Sequence, residues 1–162
     1  MKSNVSGNQS IDISFMWEKG KLVKVITNSH HIDHFLNLIK ATRSYNTWAN
    51  YAHDLKVFFA YVPKTPIMIS RKDCVEFIMQ QDKEGCSDAT INRRLACLSS
   101  LFNELKFMEG FEDFRNPIYP RMNLSKNQQR NFGLYRRRGK RIPTIFTEEE
   151  IYLLLDSLRN WR

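Results

Sequence analysis

The spacing of the apolar residues between positions 29 and 109 most constrains how this chain folds. These residues recur at helical intervals in four successive segments, so each segment has one apolar side and one polar side. In the longest segment, Ile91, Leu95 and Leu98 fall on one side, whereas Arg93 and Ala96 fall on the other. Four amphipathic helices of this kind can bury one shared core. The sequence therefore predicts a mainly α-helical fold built on a four-helix bundle.

Serine residues mark the expected starts of these helices. Ser29 can cap the first helix, and Ser70, with Asp73 three residues later, resembles a capping box. In chain order, the other three helices are expected at about 44–61, 70–83 and 88–109.

Residues 11–28 follow a different pattern, with an apolar residue at every second position. The alternating residues are Ile11, Ile13, Phe15 and Trp17. A charged turn around Gly20 follows, and a second apolar run begins at Leu22, which together predict a β-hairpin. Because an isolated hairpin is only marginally stable in water, we expect this one to pack on a neighbour, which the sequence does not identify.

The positive charge of the chain is concentrated in one segment. The whole chain has a net charge of +8, yet residues 114–147 contain no acid and nine of the 25 lysines and arginines, leaving 16 bases against 17 acids elsewhere. Prolines and glycines interrupt this segment, which indicates an extended basic linker. An extended polycation suits a polyanion, because each base that neutralises a phosphate releases a condensed counterion. The same composition is also compatible with a solvated segment that binds nothing.

Composition disfavours several other classes of protein. No run of about eighteen apolar residues is present to span a membrane, and the N-terminus lacks the pattern of a signal peptide. The cysteines are odd in number and lack metal-binding spacing, so we expect reduced thiols at Cys74, Cys86 and Cys97. A metal site is not expected either, because no fourth ligand accompanies His30, His31 and His34. We therefore expect a cytoplasmic protein with no cofactor, no metal and no membrane partner.

The polar side of the fourth helix carries unusually short side chains. They are Asn92, Ala96, Ser99, Ser100 and Asn103. Short side chains let a helix backbone come close to a partner, and the adjacent Arg93 and Arg94 offer planar guanidinium groups that fit a guanine edge or phosphate. This side is a plausible reader of the DNA major groove. It is also compatible with an ordinary exposed surface, and Arg94 with a side chain lying over the core.

The start of the second helix offers a second candidate contact. Arg43, Ser44 and Thr47 combine a cation and two hydroxyls with the free amides of a helix N-terminus, a combination that suits phosphate. Ser44 alone is equally well explained as an N-cap.

Three stretches resemble the tyrosine recombinase or phage integrase family in order and spacing. They are RSYNTWANYAHDLKVFFAY at 43–61, SDATINRRLACLSSLF at 87–102 and IPTIFTEEEIYLLL at 142–155, with Asn-Pro at 116–117. The combined pattern covers residues 29–158. The resemblance implies a SAM-like core-binding domain at 29–118, preceded by an extension with the hairpin at 1–28, and followed by a basic interdomain linker at 119–143 and the start of a catalytic domain at 144–162.

The resemblance also implies double-stranded DNA as partner, with self-association of the full-length protein on DNA. In the family, the second and fourth helices of this domain contact the duplex. The implied DNA-binding residues are Arg43, Ser44, Thr47 and Tyr51, then Thr90, Asn92, Arg93 and Arg94, and in the linker Arg136, Arg137, Arg138, Lys140 and Arg141.

No catalytic residue is expected in this chain. The family cleaves DNA with a tyrosine nucleophile in its catalytic domain, and no tyrosine here stands in a matching motif. Thr147 and Glu150 resemble a capping box, followed by an apolar stripe from Ile151, as at the first helix of that domain. We therefore expect a non-enzymatic front part of a longer site-specific recombinase of a bacterial or phage mobile element, associated with the nucleoid.

Two alternatives come from other functional classes. The bundle could instead be a protein-interaction module that mediates recombinase assembly, with its apolar C-terminal helix docked on a partner. A freestanding helix-turn-helix regulator is less well supported, because no short turn joins two helices of suitable length. DNA binding should weaken steeply with salt, whereas protein interaction should not.

Overall fold

A computed structural model of the chain describes residues 10–111, 113–119, 133–136 and 147–159. Within them, an antiparallel hairpin precedes four long helices, and a further helix lies near the C-terminal end. The elements are β1 Ile13–Glu18, β2 Lys21–Thr27, α1 His30–Thr42, α2 Tyr45–Tyr61, a 3-10 turn Pro66–Met68, α3 Arg71–Lys83, α4 Asp88–Leu105 and α5 Glu148–Arg159. The predicted mainly helical fold is confirmed.

Two helices begin with the reciprocal capping expected from the sequence. At α3, the Ser70 side chain accepts a hydrogen bond from the Asp73 amide, and the Asp73 carboxylate accepts one from the Ser70 amide at 2.8 Å. At α5, Thr147 and Glu150 exchange the same pair of bonds, at 2.9 and 3.3 Å. Each exchange satisfies two backbone donors that a helix start otherwise leaves free.

The side-chain cap expected at the start of α1 is not formed by Ser29. Ser29 occupies the N-cap position, but its side chain makes no capping hydrogen bond. Instead, the Thr27 hydroxyl accepts from the Ser29 amide at 3.1 Å and donates to the Asp33 carboxylate at 2.9 Å. The expectation that the Ser29 side chain caps α1 was therefore wrong, and the hydroxyl of Thr27, the last residue of β2, links the N-cap residue to the first turn of the helix instead.

Helix α4 ends earlier than predicted. The sequence suggested a helix to about residue 109, but α4 ends at Leu105. The amides of Phe107 and Met108 bond carbonyls only three residues back, those of Glu104 and Leu105, at 3.0 Å each. These tighter turns close the helix before Gly110, whose φ of 83° lies in the left-handed region that favours glycine.

One core joins the hairpin to the bundle. A single cluster of buried residues includes side chains from both strands and from helices α1 to α4. Its largest fully buried side chains are five phenylalanines, Phe35, Phe58, Phe59, Phe77 and Phe102. In the described parts of the chain, no helix combines the length and apolarity needed to cross a membrane.

The bundle is the neighbour that the hairpin requires. Ile13 and Leu22 are buried at 3% and 2% exposure, and the Leu22 amide donates to the Tyr45 hydroxyl of α2 at 2.6 Å. The tight turn uses positive φ angles at Lys19 and Gly20, 48° and 75°, as a two-residue hairpin loop of the primed type requires. The hairpin is thus fixed to α2, where Phe15 of β1 also contacts His53.

Candidate nucleic-acid interface

Helices α2 and α4 run antiparallel, which sets the layout of the predicted DNA-binding residues. The Cys97 thiol of α4 donates to the Tyr51 carbonyl of α2 at 3.6 Å, whereas Arg93, earlier in α4, contacts Asp54, later in α2. The two helix starts therefore lie at opposite ends of the pair. Ten residues separate Ser44 from the level of Arg93, about 15 Å along α2.

The two helix starts share one capping pattern. At α2, the Ser44 hydroxyl accepts from the Thr47 amide at 3.3 Å and lies 3.0 Å from the Thr47 hydroxyl. At α4, Ser87 and Thr90 repeat these contacts at 3.3 and 3.1 Å. Ser44 is thus an N-cap, the role that the sequence also allowed. Its role in DNA binding, like that of Thr47 and Thr90, remains a prediction.

A buried carboxylate joins α2 to α4. Asp54 is only 2% exposed, and its Oδ2 accepts a hydrogen bond from Arg93 Nη1 at 2.5 Å, while Arg94 Nε lies 3.6 Å from its Oδ1. We call these three residues the triad. Helical periodicity alone predicts Asp54 on the polar side of α2, with Asn50 and His53, but this position is buried because α4 packs across it.

Burial controls the protonation of the triad. Desolvation raises the pKa of Asp54 from its ordinary value of 3.8 to about 6, although both neighbouring arginines act in the opposite direction. Asp54 is therefore mostly ionised at neutral pH and balances one of the two guanidinium charges. The remaining positive charge is presented by Arg93, whose side chain is 41% exposed, rather than by Arg94, whose side chain is 15% exposed.

Arg94 lies largely inside the bundle surface. Its Nη1 donates to the Cys86 sulfur at 3.6 Å, and its buried Nε has no hydrogen-bond partner. This position corresponds to the alternative that the sequence left open for Arg94, a side chain lying over the core. A contact from Arg94 to DNA remains a prediction.

The middle of the short-residue side of α4 is covered by the chain itself. Asn116 is buried, and its Nδ2 donates to the Ser99 carbonyl, the Ser99 hydroxyl and the Asn103 side chain at 3.0 to 3.1 Å. Its Oδ1 accepts from the Ile118 amide at 3.0 Å. Short side chains do permit a close approach here, and the approaching group is the side chain of Asn116.

The N-terminal part of the same side is covered by residues 133–136, which we call the strap. The Asn92 side-chain amide donates to the Arg136 carbonyl at 3.0 Å and accepts from the Arg136 amide at 2.8 Å. The Arg136 guanidinium bonds Asp88 at 2.8 Å and also Asp82. The sequence did not suggest either aspartate as a partner, because the contacts join residues about fifty positions apart.

The remaining predicted residues divide into two groups. Tyr51 is half-buried, with its ring stacked on Phe35 at a centroid distance of 6.2 Å, and Arg43 is exposed at the end of α1. The other predicted linker residues lie outside the described part of the chain: Arg137, Arg138, Lys140 and Arg141.

Comparison with known protein families identifies most of the bundle. Residues 32–107 match the model of the family described as phage integrase, N-terminal SAM-like domain. The match begins in α1 and extends just past α4. No curated protein and no solved structure matches the chain.

Proposed function

We propose that this chain binds double-stranded DNA. The premise is that residues 32–107 match a phage-integrase N-terminal SAM-like domain, which supports a role in a tyrosine recombinase. In this proposal it is the core-binding arm of a site-specific recombinase acting in DNA integration and recombination. It prefers particular sequences but performs no bond cleavage itself. The observation that carries the proposal is the triad, which holds the exposed guanidinium of Arg93 at the junction of α2 and α4.

The layout of the two helices supports contact with both edges of a groove. The start of α2 and the Arg93 position are about 15 Å apart, estimated from the helical rise. The major groove of B-form DNA is about 12 Å wide. In this proposal, Ser44 at one position and Arg93 at the other contact phosphates or bases across one groove.

Arg93 is the residue proposed to read sequence. A guanidinium can donate two parallel hydrogen bonds to the O6 and N7 atoms of guanine, which a lysine ammonium cannot reproduce. Because Asp54 holds one edge of the Arg93 side chain, fewer rotamers are lost when the other edge binds DNA. Loss of a base contact of this kind typically costs about 1–3 kcal/mol of discrimination.

Fluorescence anisotropy of duplex binding across a salt series tests the proposal. We expect tight binding to a mixed-sequence duplex at low salt that falls steeply between about 50 and 200 mM. Substitution of Arg137, Arg138, Lys140 and Arg141 by glutamine should make the slope of log K against log salt shallower, by about 0.9 for each phosphate contact that is lost. Absence of binding by the unmodified chain at low salt would refute the DNA-binding function.

Arg93→Lys separates sequence reading from charge. The variant keeps the positive charge beside Asp54 but loses the planar fork, so we expect a nearly unchanged salt slope with smaller differences in affinity between duplexes. Lys72→Arg, at an exposed position of α3, is the matched control that exchanges the same two groups elsewhere. If Arg93→Lys leaves the ranking of duplexes unchanged, Arg93 does not read bases.

A protein-interaction function is the second candidate. Helix α5 exposes Ile151, Tyr152, Leu153 and Leu155 at 47% to 72% of their surface, and exposed apolar groups of this kind favour a protein partner. In this proposal α5 mediates assembly of the recombinase on DNA. Light scattering on the chain with and without duplex tests it, and Leu155→Glu should reduce any assembly while leaving DNA binding by the bundle intact.

A further inference from the structure

The strap covers Asn92, one of the α4 residues that the sequence predicts to bind DNA. The Asn92 side chain donates one of its two N–H groups to the Arg136 carbonyl and accepts from the Arg136 amide through Oδ1, so the edge of the amide that carries both atoms is occupied. An asparagine that reads adenine uses the same donor and acceptor on one base edge. Asn92 therefore cannot hold the strap and read a base at the same time.

The ion pairs of the strap also compete with DNA, because Arg136 cannot keep both aspartates and bind a phosphate at the same time. Arg136 is shared between Asp82 and Asp88, whose side chains are both 47% exposed. Ion pairs this exposed are weak, because water and salt screen them. A DNA phosphate offers the same guanidinium an alternative anion, and its capture releases counterions.

Two further contacts fix the strap as a defined conformation. The Leu134 amide donates to the Ile118 carbonyl at 3.2 Å, and the Tyr135 hydroxyl lies 3.5 Å from that of Tyr119. Leu134 and Tyr135 are both half-buried against the core. The strap is therefore docked through backbone, ring and charge contacts along one line on the bundle.

We propose that the strap is a self-inhibitory cover over the DNA-reading surface of α4, which duplex DNA displaces. On displacement, Asn92 becomes free for a base edge, and Arg136 moves from Asp82 and Asp88 to a phosphate. This inference rests on the proposed DNA-binding function. It adds a competition between the strap and the duplex for the same side chains.

Hydrogen exchange of two backbone amides follows the strap directly. The Arg136 amide is bonded to Asn92 and the Leu134 amide to Ile118, so both should exchange slowly in the free protein. A saturating mixed-sequence duplex should accelerate exchange at both positions. If the duplex binds while both amides stay protected, the displacement is refuted and the DNA-binding function stands. If no duplex binds at low salt, both fail together.

A charge-matched pair of double variants tests the competition energetically. Asp82→Asn/Asp88→Asn removes the carboxylates that hold Arg136, and Glu76→Gln/Glu109→Gln changes the net charge equally at exposed positions that no strap residue contacts. We expect the first variant to bind the duplex roughly five- to tenfold more tightly than the second at about 100 mM salt. The steeper salt slope of the first variant should correspond to about one additional phosphate.

Arg136→Gln in the Asp82→Asn/Asp88→Asn background completes the test. Because the proposal attributes the gain to the released guanidinium, this substitution should return the affinity to that of the charge-matched control. Equal affinities of the two double variants, or a gain that survives Arg136→Gln, would overturn the proposal. Thermal unfolding of each variant establishes that the bundle is intact.

Discussion

The substitution Asp54→Asn tests whether burial or ion pairing dominates inside the triad. The side chain of Asp54 is 2% exposed and contacts two arginines, so its carboxylate loses hydration and gains attraction together. The raised pKa of about 6 means that lost hydration is the larger effect. Asparagine retains an oxygen that can accept from Arg93 but carries no charge at any pH.

The expected magnitude follows from proton linkage. An acid with a pKa of about 6 in the folded protein and 3.8 in the unfolded chain contributes stability that is present below pH 3.8 and lost as the pH rises through about 6. The full loss is about 3 kcal/mol, of which about 2 kcal/mol falls between about pH 4.5 and about pH 7. Asp54→Asn has no such dependence, so its stability relative to the original chain should rise by about 2 kcal/mol over this interval.

Urea unfolding of both proteins, followed by far-UV circular dichroism at several pH values, measures this difference. The difference between the two proteins is the useful quantity, because His31 also titrates here and contributes with the opposite sign. Burial lowers the pKa of His31, so its stability contribution is present above pH 6.5 and lost as the pH falls. Both proteins carry His31, and its contribution cancels.

The sign of this pH dependence shows whether desolvation or attraction to the arginines has the larger effect on the pKa of Asp54. A relative stability of Asp54→Asn that falls as the pH rises would mean that the arginines lower the pKa of Asp54 and that attraction outweighs desolvation. Arg93→Gln provides an internal check, because Arg93 acts to lower the pKa of Asp54. In the Arg93→Gln background, the change with pH in the free energy of unfolding caused by Asp54→Asn should become larger and extend to higher pH. A narrower difference would contradict the assignment.

Other predictions follow from the described contacts. Asn116→Ala should lower the free energy of unfolding by about 2 kcal/mol, measured by urea titration, because it removes several hydrogen bonds between a buried side chain and α4. Burial acts to raise the pKa of Asp73, but hydrogen bonds from a lysine and the N-cap serine outweigh burial and lower the pKa. Asp73→Asn should therefore lower the free energy of unfolding by about 1 kcal/mol near neutral pH and by less in acid, where the carboxylate becomes protonated. A thiol reagent should label half-buried Cys86 rapidly in the native protein, and the two others only on unfolding, since burial raises the pKa of Cys74 to about 12 and that of Cys97 well above its usual value.

The helices and their starts could be predicted from the sequence because both depend on neighbouring residues. The period of the apolar positions predicts an amphipathic helix, and the pairs at 70 and 73 and at 147 and 150 predict capping boxes that are present. Two errors arose where residues outside the helix contribute. The Ser29 side chain makes no capping bond, and its amide is held by Thr27 of the preceding strand, whereas Asp54 is buried by a helix about forty positions later.

The candidate interface was less predictable than the fold for the same reason. Periodicity identifies the short side chains of α4 but not what covers them, since Asn116 and the strap reach this surface from 17 to 44 positions away. A sequence signal did exist for the triad. Two adjacent arginines at the edge of an apolar stripe, with an aspartate on a neighbouring helix, are typical of charges that are buried only when paired.

The charges on the α4 surface indicate the order of events in the proposed DNA binding. The triad contributes two positive charges and one negative charge. The ion pairs of Arg136 with Asp82 and Asp88 contribute one positive charge and two negative charges, so the net charge of the two sets together is zero. A surface with no net charge exerts little long-range attraction on a duplex. The first encounter should therefore depend on the nine bases concentrated in residues 114–147, of which only Arg136 belongs to these two sets. Base reading by Asn92 then follows, because in the proposed competition the strap must first leave this side chain.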